Sequence, residues 1–345
     1  MLGIDRRALQ IAWTFFLIAI VLILFYEIGR TLIVFALALF LAHLLSPLVD
    51  LVERFFPVRI NRTLSLAIVY LAFIGGLVSV AFFLGSKIIE QAAALAVKLP
   101  EALKSNPLDR LPLPYWLEPA RASVSQFLNE RLQQLGSNLL PTLGQAGKQI
   151  IIGINGLLLI ILIPILSFLF LRNGREIRLA IVELFPEGRR PLVDGILREL
   201  HVVLSQYVRA LIFLSLATFT SFSIALSALA APYAVLLAGF AAALEVIPVL
   251  GPLVAALTIL MVAWLSGYSH LLFLAIFLGL YRIFQDYVLN PYLMSAGVEV
   301  PPLLILFGLL AGEQLAGIPG MFFSVPMIAA VRVVLARMRR SPYVV

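Results

Sequence analysis

Cysteine is missing from all 345 residues, which excludes disulfides, thiolate nucleophiles and thiolate metal sites. Histidine is almost as scarce, and His43, His201 and His270 stand so far apart that the sequence writes no imidazole cluster. No metal site is therefore expected. Charge is thin as well, at 12% of residues where a soluble domain carries roughly 25%. No G-x-x-x-x-G-K-[ST] loop occurs, so ATP drive is not encoded in this chain. Neither G-x-S-x-G nor H-E-x-x-H occurs. An intramembrane enzyme is thereby disfavoured, and no cofactor is expected.

What is present is apolar. Hydrophobic residues make up 62% of the chain, and the mean hydropathy is +1.06. Several runs reach the ~20 apolar residues that cross a ~30 Å hydrocarbon core, and such runs must be helical because lipid cannot satisfy open backbone groups. The fold class is all-α, a polytopic helical membrane protein with about eight hydrophobic segments. The net charge of +7 reads as a topology signal around those spans rather than as a nucleic-acid footprint, since no folded soluble domain remains to carry a basic groove.

Polarity and arginine placement divide the chain. Residues 1–85 hold N-terminal transmembrane helices, with Ile11–Tyr26 and Thr31–Leu45 as a tight pair and Leu64–Gly85 as a third span. A cleaved signal peptide is the rival reading of the first run, but no small-residue cleavage site follows it. Arg54, Arg59 and Arg62 put residues 50–62 and the N-terminus in the cytoplasm. Residues 86–148 form an extracytoplasmic insert. In it Ile88, Ile89, Ala92, Leu95, Ala96 and Leu99 share one helical face, for a helix on the membrane surface or packed on the bundle. Residues 149–171 are a fourth span. Arg172, Arg175 and Arg178 then mark 172–206 as a cytoplasmic amphipathic segment, and 207–345 form a C-terminal core ending in the inward-facing RVVLARMRR. Ser215, Thr218 and Ser221 recur every third residue in the fifth span, a spacing that suits small-residue packing or a polar path.

Two segments of that core are too long and too broken to be simple spans. Tyr233–Leu265 would extend ~50 Å as one helix, yet Glu245, Pro248, Gly251 and Pro252 interrupt it. The last segment carries Glu313, Gly317, Pro319, Gly320 and Pro326 in the same order, a carboxylate followed by breakers. Such pairs resemble discontinuous transporter helices, whose freed backbone groups face substrate or ion. We expect both to be re-entrant hairpins, which leaves Ser295 inside and Gly267 outside. Between them Arg282 and Asp286 stand four apart, the spacing of a helical ion pair.

EVIPVLGP, followed by QDYVLNPYLMSAGVEVPPLLILFGLLAGEQLAGIPGMFFSVPMIAAV, resembles the signature of the AI-2E transporter family, the autoinducer-2 exporter or PerM-like permeases. SPLVDLVER at 46–54 is similar to the family too. The resemblance implies a multi-pass protein of a prokaryotic cytoplasmic membrane, homo-oligomeric with a pentamer as the family-implied size, moving a small polar solute. Export of autoinducer-2 is one activity it implies, and Na+(Li+)/H+ antiport is another. The leading reading is an alternating-access secondary transporter, with Na+ or H+ as candidate coupling ions. Its expected substrate- and ion-binding residues are Glu245, Pro248, Gly251, Pro252, Asp286, Asn290, Pro291, Glu313, Gly317, Pro319 and Gly320, the carboxylates because intramembrane charge is costly enough to imply use. The competitor from another class is a membrane scaffold that recruits partners through 86–148 and 172–206.

Overall fold

The computed structural model describes residues 27–55, 61–104, 154–294 and 301–340, with scattered positions from Trp13 to Ile23. Among these residues every regular element is helical. In chain order they are α1 (Gly29–Phe55), α2 (Arg62–Lys104), α3 (Ile154–Glu183), a 3-10 turn (Glu187–Arg189), α4 (Arg190–Ala228), α5 (Ala234–Leu244), α6 (Leu250–Leu265), α7 (Leu271–Phe284), a π-helical turn (Gln285–Leu289), α8 (Asn290–Met294) and α9 (Pro302–Arg340). Thr31–Phe55, Arg62–Lys98, Glu187–Ala228, Leu271–Leu293 and Pro302–Arg339 are long and apolar enough to cross a membrane. The protein is a multi-pass helical membrane protein.

Several helices outrun the bilayer. At ~1.5 Å per residue, the 43 residues of α2 extend ~65 Å, so the apolar run to Gly85 and the amphipathic stretch after it are one rod. That stretch lies on the bundle. The Leu236 amide donates to Gln91 Oε1 at 2.8 Å, and Leu95 packs on the buried cluster of the C-terminal core. The rest of the expected insert, including Gly136, lies outside the described residues. Likewise α3 continues unbroken through Arg172, Arg175 and Arg178, and α4 runs from Arg190 through the fifth apolar segment. Pro191 begins α4 in the first turn, where a missing N–H costs nothing.

Two buried clusters organise the chain. Leu45, Val49, Leu66, Val69 and Leu171 join α1, α2 and α3, with the Tyr70 hydroxyl donating to Ser167 Oγ. Leu226, Ala238, Ile259, Ala263 and Leu274 join α4 to α7. α4 bridges the two, and Phe40 of α1 stacks edge-on against Phe322 of α9 at 4.6 Å between centroids.

Both overlong segments are folded back on themselves. At ~1.5 Å per residue α5 and α6 extend only ~16 and ~24 Å, less than the ~30 Å core. Small residues on both arms, Ala234, Ala238 and Ala241 against Ala255 and Ala263, let the helices approach. The turn is sharp. Val249 has φ 65° and ψ −55°, the Leu250 amide donates to the Pro248 carbonyl at 2.7 Å, and the Gly251 amide donates to Ile247 at 3.0 Å. A Cβ on Gly251 would collide with the Leu244 carbonyl, so only glycine fits. Pro252 lies in the first turn of α6, where it removes no helix hydrogen bond.

The second hairpin is hidden inside α9. Its backbone leaves helical geometry at Ala316 (φ −147°, ψ 15°) and Gly317 (φ 61°, ψ −139°), separating the arms Pro302–Leu315 and Ile318–Arg340. Added Cβ atoms on Gly312 and Gly320 would each strike the other residue's carbonyl, and one on Gly308 would come within 2.6 Å of Ile328 Cδ1. The contacts pair early residues of one arm with late residues of the other, which defines antiparallel arms. Pro319 sits in the first turn of the second arm, and Pro326 lies inside it. Length and hydropathy alone present this segment as a single crossing; the fold at Gly317 rules that out.

Candidate functional site

The break after α5 places a carboxylate where three helices meet. Glu245 follows the last helical residue of α5, so the chain turns away there and its side chain is directed at α4 and α7. It is buried at 6% exposure. Thr218 Oγ1 of α4 donates to Oε1 at 2.9 Å, and Gln285 Nε2 of the π turn donates to Oε2 at 2.8 Å. Among the described residues no cation lies within ion-pair distance of it.

The donors form a directed chain. Thr218 has one hydroxyl proton, and it goes to Glu245. The Tyr281 hydroxyl, 2.9 Å from Thr218 Oγ1, is then the donor to Thr218. The Thr218 and Tyr281 protons both point toward the carboxylate, the arrangement that suits an ionised Glu245, and charge-assisted bonds of this type are roughly twice as strong as neutral ones. Reversal of the Thr218 and Tyr281 hydroxyls accommodates a proton on Glu245. The geometry therefore serves both a charged and a neutral state.

The π turn explains how Gln285 arrives there. Tyr281 and Gln285 are four apart and both buried, while their neighbours Arg282 and Asp286 are about 40% exposed. An inserted residue in a π turn shifts the register of the helix beyond it, and such turns cluster at functional sites. Arg282 Nε and Asp286 Oδ2 pair at 2.8 Å, and Asn290 Nδ2 donates to Asp286 Oδ1 at 3.2 Å. Asp286 thus has a cation of its own.

Glu245 opens onto a cavity of about 440 Å³. Its polar lining is Thr218, Glu245, Tyr281, Arg282 and Gln285; Phe222, Ala241, Leu253, Ala256, Leu260 and Leu278 make most of the remaining wall, and Pro252 lies at its edge. Of the expected binding residues, Glu245 and Pro252 line the cavity, whereas Pro248 and Gly251 shape its turn. Asp286 and Asn290 flank it, and Pro291 is exposed on α8. Glu313, Gly317, Pro319 and Gly320 belong to the second hairpin and do not line it; Glu313 is exposed. Ser295 lies outside the described residues.

Tyr281 and Gln285 were not among the expected site residues, although Gln285 opens the quoted QDYVLNPYL stretch. Thr218 was visible in its three-residue spacing with Ser215 and Ser221. Two of the three histidines do meet: the rings of His43 and His201 are 4.9 Å apart between centroids, and His43 Nδ1 donates to the Leu39 carbonyl at 2.8 Å. Among the described residues no three His, Asp or Glu side chains converge as a metal site would require.

The AI-2E family transporter profile matches residues 15–340. The chain belongs to the AI-2E transporter family. YueF of Bacillus subtilis, named as a candidate transport protein, is 26% identical over 342 residues, covering 93% of this chain and 91% of YueF. YrrI of the same organism, similarly named, is 22% identical over 330 residues, with 95% and 92% covered. MT0215 of Mycobacterium tuberculosis, again named as a candidate transport protein, is 29% identical over 161 residues, 46% of this chain and 44% of that one. In this AI-2E chain, the Glu245 turn and its cavity lie within the matched residues.

Proposed function

We propose that this protein is a secondary transporter in which the Glu245 cavity holds the cargo and alternates its access between the two sides of a prokaryotic cytoplasmic membrane. The observation that carries the reading is a buried carboxylate, satisfied by Thr218 and Gln285 but unpaired with a cation, at the turn of a hairpin whose arms are each too short to span. A charge in that position is expensive unless it is used. The absence of a nucleotide loop in the sequence supports gradient drive, and the non-enzymatic reading rests on transporter-family membership. Arginines at Arg54, Arg172, Arg175, Arg178 and 332–340 support cytoplasmic termini.

The family resemblance offers two readings of the cargo. Export of a small polar solute such as autoinducer-2 is the first. Na+(Li+)/H+ antiport is the second, and the buried Glu245, which has no ion-pair partner among the described residues, favours an ion or proton step in either case. A homo-oligomer, of five subunits by resemblance, accompanies both. A scaffold role predicts no flux at all. The deciding experiment is a solute and ion flux screen in proteoliposomes of the purified protein. Flux that needs no partner and collapses in Glu245→Gln is the expected result; a protein that moves nothing under any gradient overturns the transporter reading.

A further inference from the structure

The charge balance of the cavity identifies the class of cargo. Arg282 of α7 and Asp286 of the π turn neutralise each other at 2.8 Å. α4 contributes only the neutral Thr218 there, and α6 has no ionisable residue. α2 meets α5 through Ile88 near Gly239 and Gln91 on the Leu236 amide. Glu245 is the one acidic group lining the cavity, and the one cation that lines it, Arg282, is held by Asp286, so the three groups together carry one net negative charge.

The walls say what must accompany a positive charge. Apart from these polar groups the lining is alanine, leucine and aromatic surface, with Phe222 and Tyr281 edge to face at 4.9 Å. A bare metal ion needs about six oxygen ligands if it is hard, and this cavity cannot supply them. A sugar-like polyol needs partners for several hydroxyls, and unpaired buried hydroxyls are costly. An organic cation needs one counter-charge, an apolar enclosure and aromatic faces, which attract ammonium groups through the ring quadrupole. A carboxylate offers about four acceptor positions, and Thr218 and Gln285 use two of them. The volume of about 440 Å³ falls within the roughly 300–1,000 Å³ of small-molecule sites.

We infer that the cavity beside Glu245 binds a small amphiphilic organic monocation, an ammonium group against the carboxylate and an apolar body against the Ala, Leu and Phe222 wall. This rests on the transporter reading for the cavity's role and departs from both cargo readings given there. Because one carboxylate serves both, a proton and the cargo cation exclude each other at Glu245. That exclusion makes proton and cargo compete for one site, so a proton gradient can bias cargo binding without a second coupling site.

The test uses phenethylammonium, 2-phenylethanol and phenylacetate, which share an aromatic body and differ in charge, with purified full-length protein in detergent and isothermal titration calorimetry. Saturable binding of phenethylammonium alone is expected, weakening as the pH falls. Glu245→Gln should weaken it at least tenfold, Glu245→Asp should retain it in part, and Glu313→Gln, outside the cavity, should match wild type. Each variant's size-exclusion profile reports whether it folded. Equal binding of the neutral or anionic analogue, no binding of the cation to wild type, or full binding by a folded Glu245→Gln overturns the inference. Flux of benzyltrimethylammonium, a fixed charge that cannot cross lipid as a free base, is then measured in proteoliposomes. Glu245-dependent binding without flux of any solute contradicts the transporter reading and leaves the site. Flux of another solute by a protein that ignores the ammonium series contradicts the site and leaves the transporter.

Discussion

The two hairpins share one sequence recipe and become different objects. Each is an overlong apolar run with a carboxylate just ahead of glycine and proline. In α5–α6 the carboxylate falls at the last residue before the turn, where α4 and the π turn of α7 supply donors and a cavity opens. In α9 the turn is at Ala316–Gly317, so Glu313 still lies within the first arm and faces outward. The arms there meet backbone to backbone at Gly312 and Gly320, with Gly308 against the Ile328 side chain. One hairpin is a polar site and the other a packing seam. The difference lies in whether the acidic residue coincides with the break, a matter of three residues.

The largest effect is expected at the seam. Gly320→Val and Gly312→Val should prevent folding, since each added side chain strikes a backbone carbonyl that cannot yield, and overpacking costs ~1–3 kcal/mol or more even in yielding cores. Size-exclusion chromatography of fluorescent fusions would report loss of the monodisperse peak. Gly251→Val should do the same at the first hairpin. A normal peak for any of the three shows that those arms do not meet as described.

The next effect separates the carboxylates. Glu245→Ala leaves Thr218 and Gln285 with unmet donors and should cost ~1–3 kcal/mol, whereas Glu313→Ala should stay within about 0.5 kcal/mol. Thermal unfolding midpoints in detergent check both, and equal shifts would erase the distinction between site and seam. Asp286→Asn removes the exposed pair with Arg282 and should cost no more than about 1 kcal/mol.

The smallest change sharpens the turn itself. Val249 is β-branched yet sits at φ 65°, a strained conformation that costs on the order of 1–3 kcal/mol. Val249→Gly should therefore hold or raise the unfolding midpoint, an unusual outcome for a glycine substitution. A lower midpoint would mean that this backbone conformation is wrong. Replacing both Pro248 and Pro252 with Ala tests a different point: if the turn is also fixed by Gly251 and Val249, insertion stays near normal and any loss appears in flux per folded molecule.

The breaks are legible in the sequence because a run of 33 residues cannot be one span and because Gly251, Pro252 and Gly317 are clear punctuation. Glu245 is legible because a carboxylate in an apolar run has few passive explanations. Tyr281 and Gln285 are not, since their roles depend on a π turn and on which helix faces the hairpin, neither of which local propensity records. The length of α2 is hidden for another reason. Polarity changes at Gly85, and polarity reports the membrane edge, whereas helix continuity depends on backbone bonding, which carries α2 on to Lys104. The Gly308, Gly312 and Gly320 seam is invisible because four-residue spacing on one arm does not reveal which other arm approaches it.

Glu245, at the turn of the first hairpin, is thus the point where we place the meeting of cargo and membrane gradient. The most direct test compares wild type, Glu245→Gln and Glu313→Gln in proteoliposomes, with flux of the transported solute and the accompanying proton movement read in the same vesicles and normalised to incorporated protein. Coupled movement is expected in wild type and Glu313→Gln, with background levels of both in Glu245→Gln. Undiminished, still-coupled flux in Glu245→Gln would contradict that assignment.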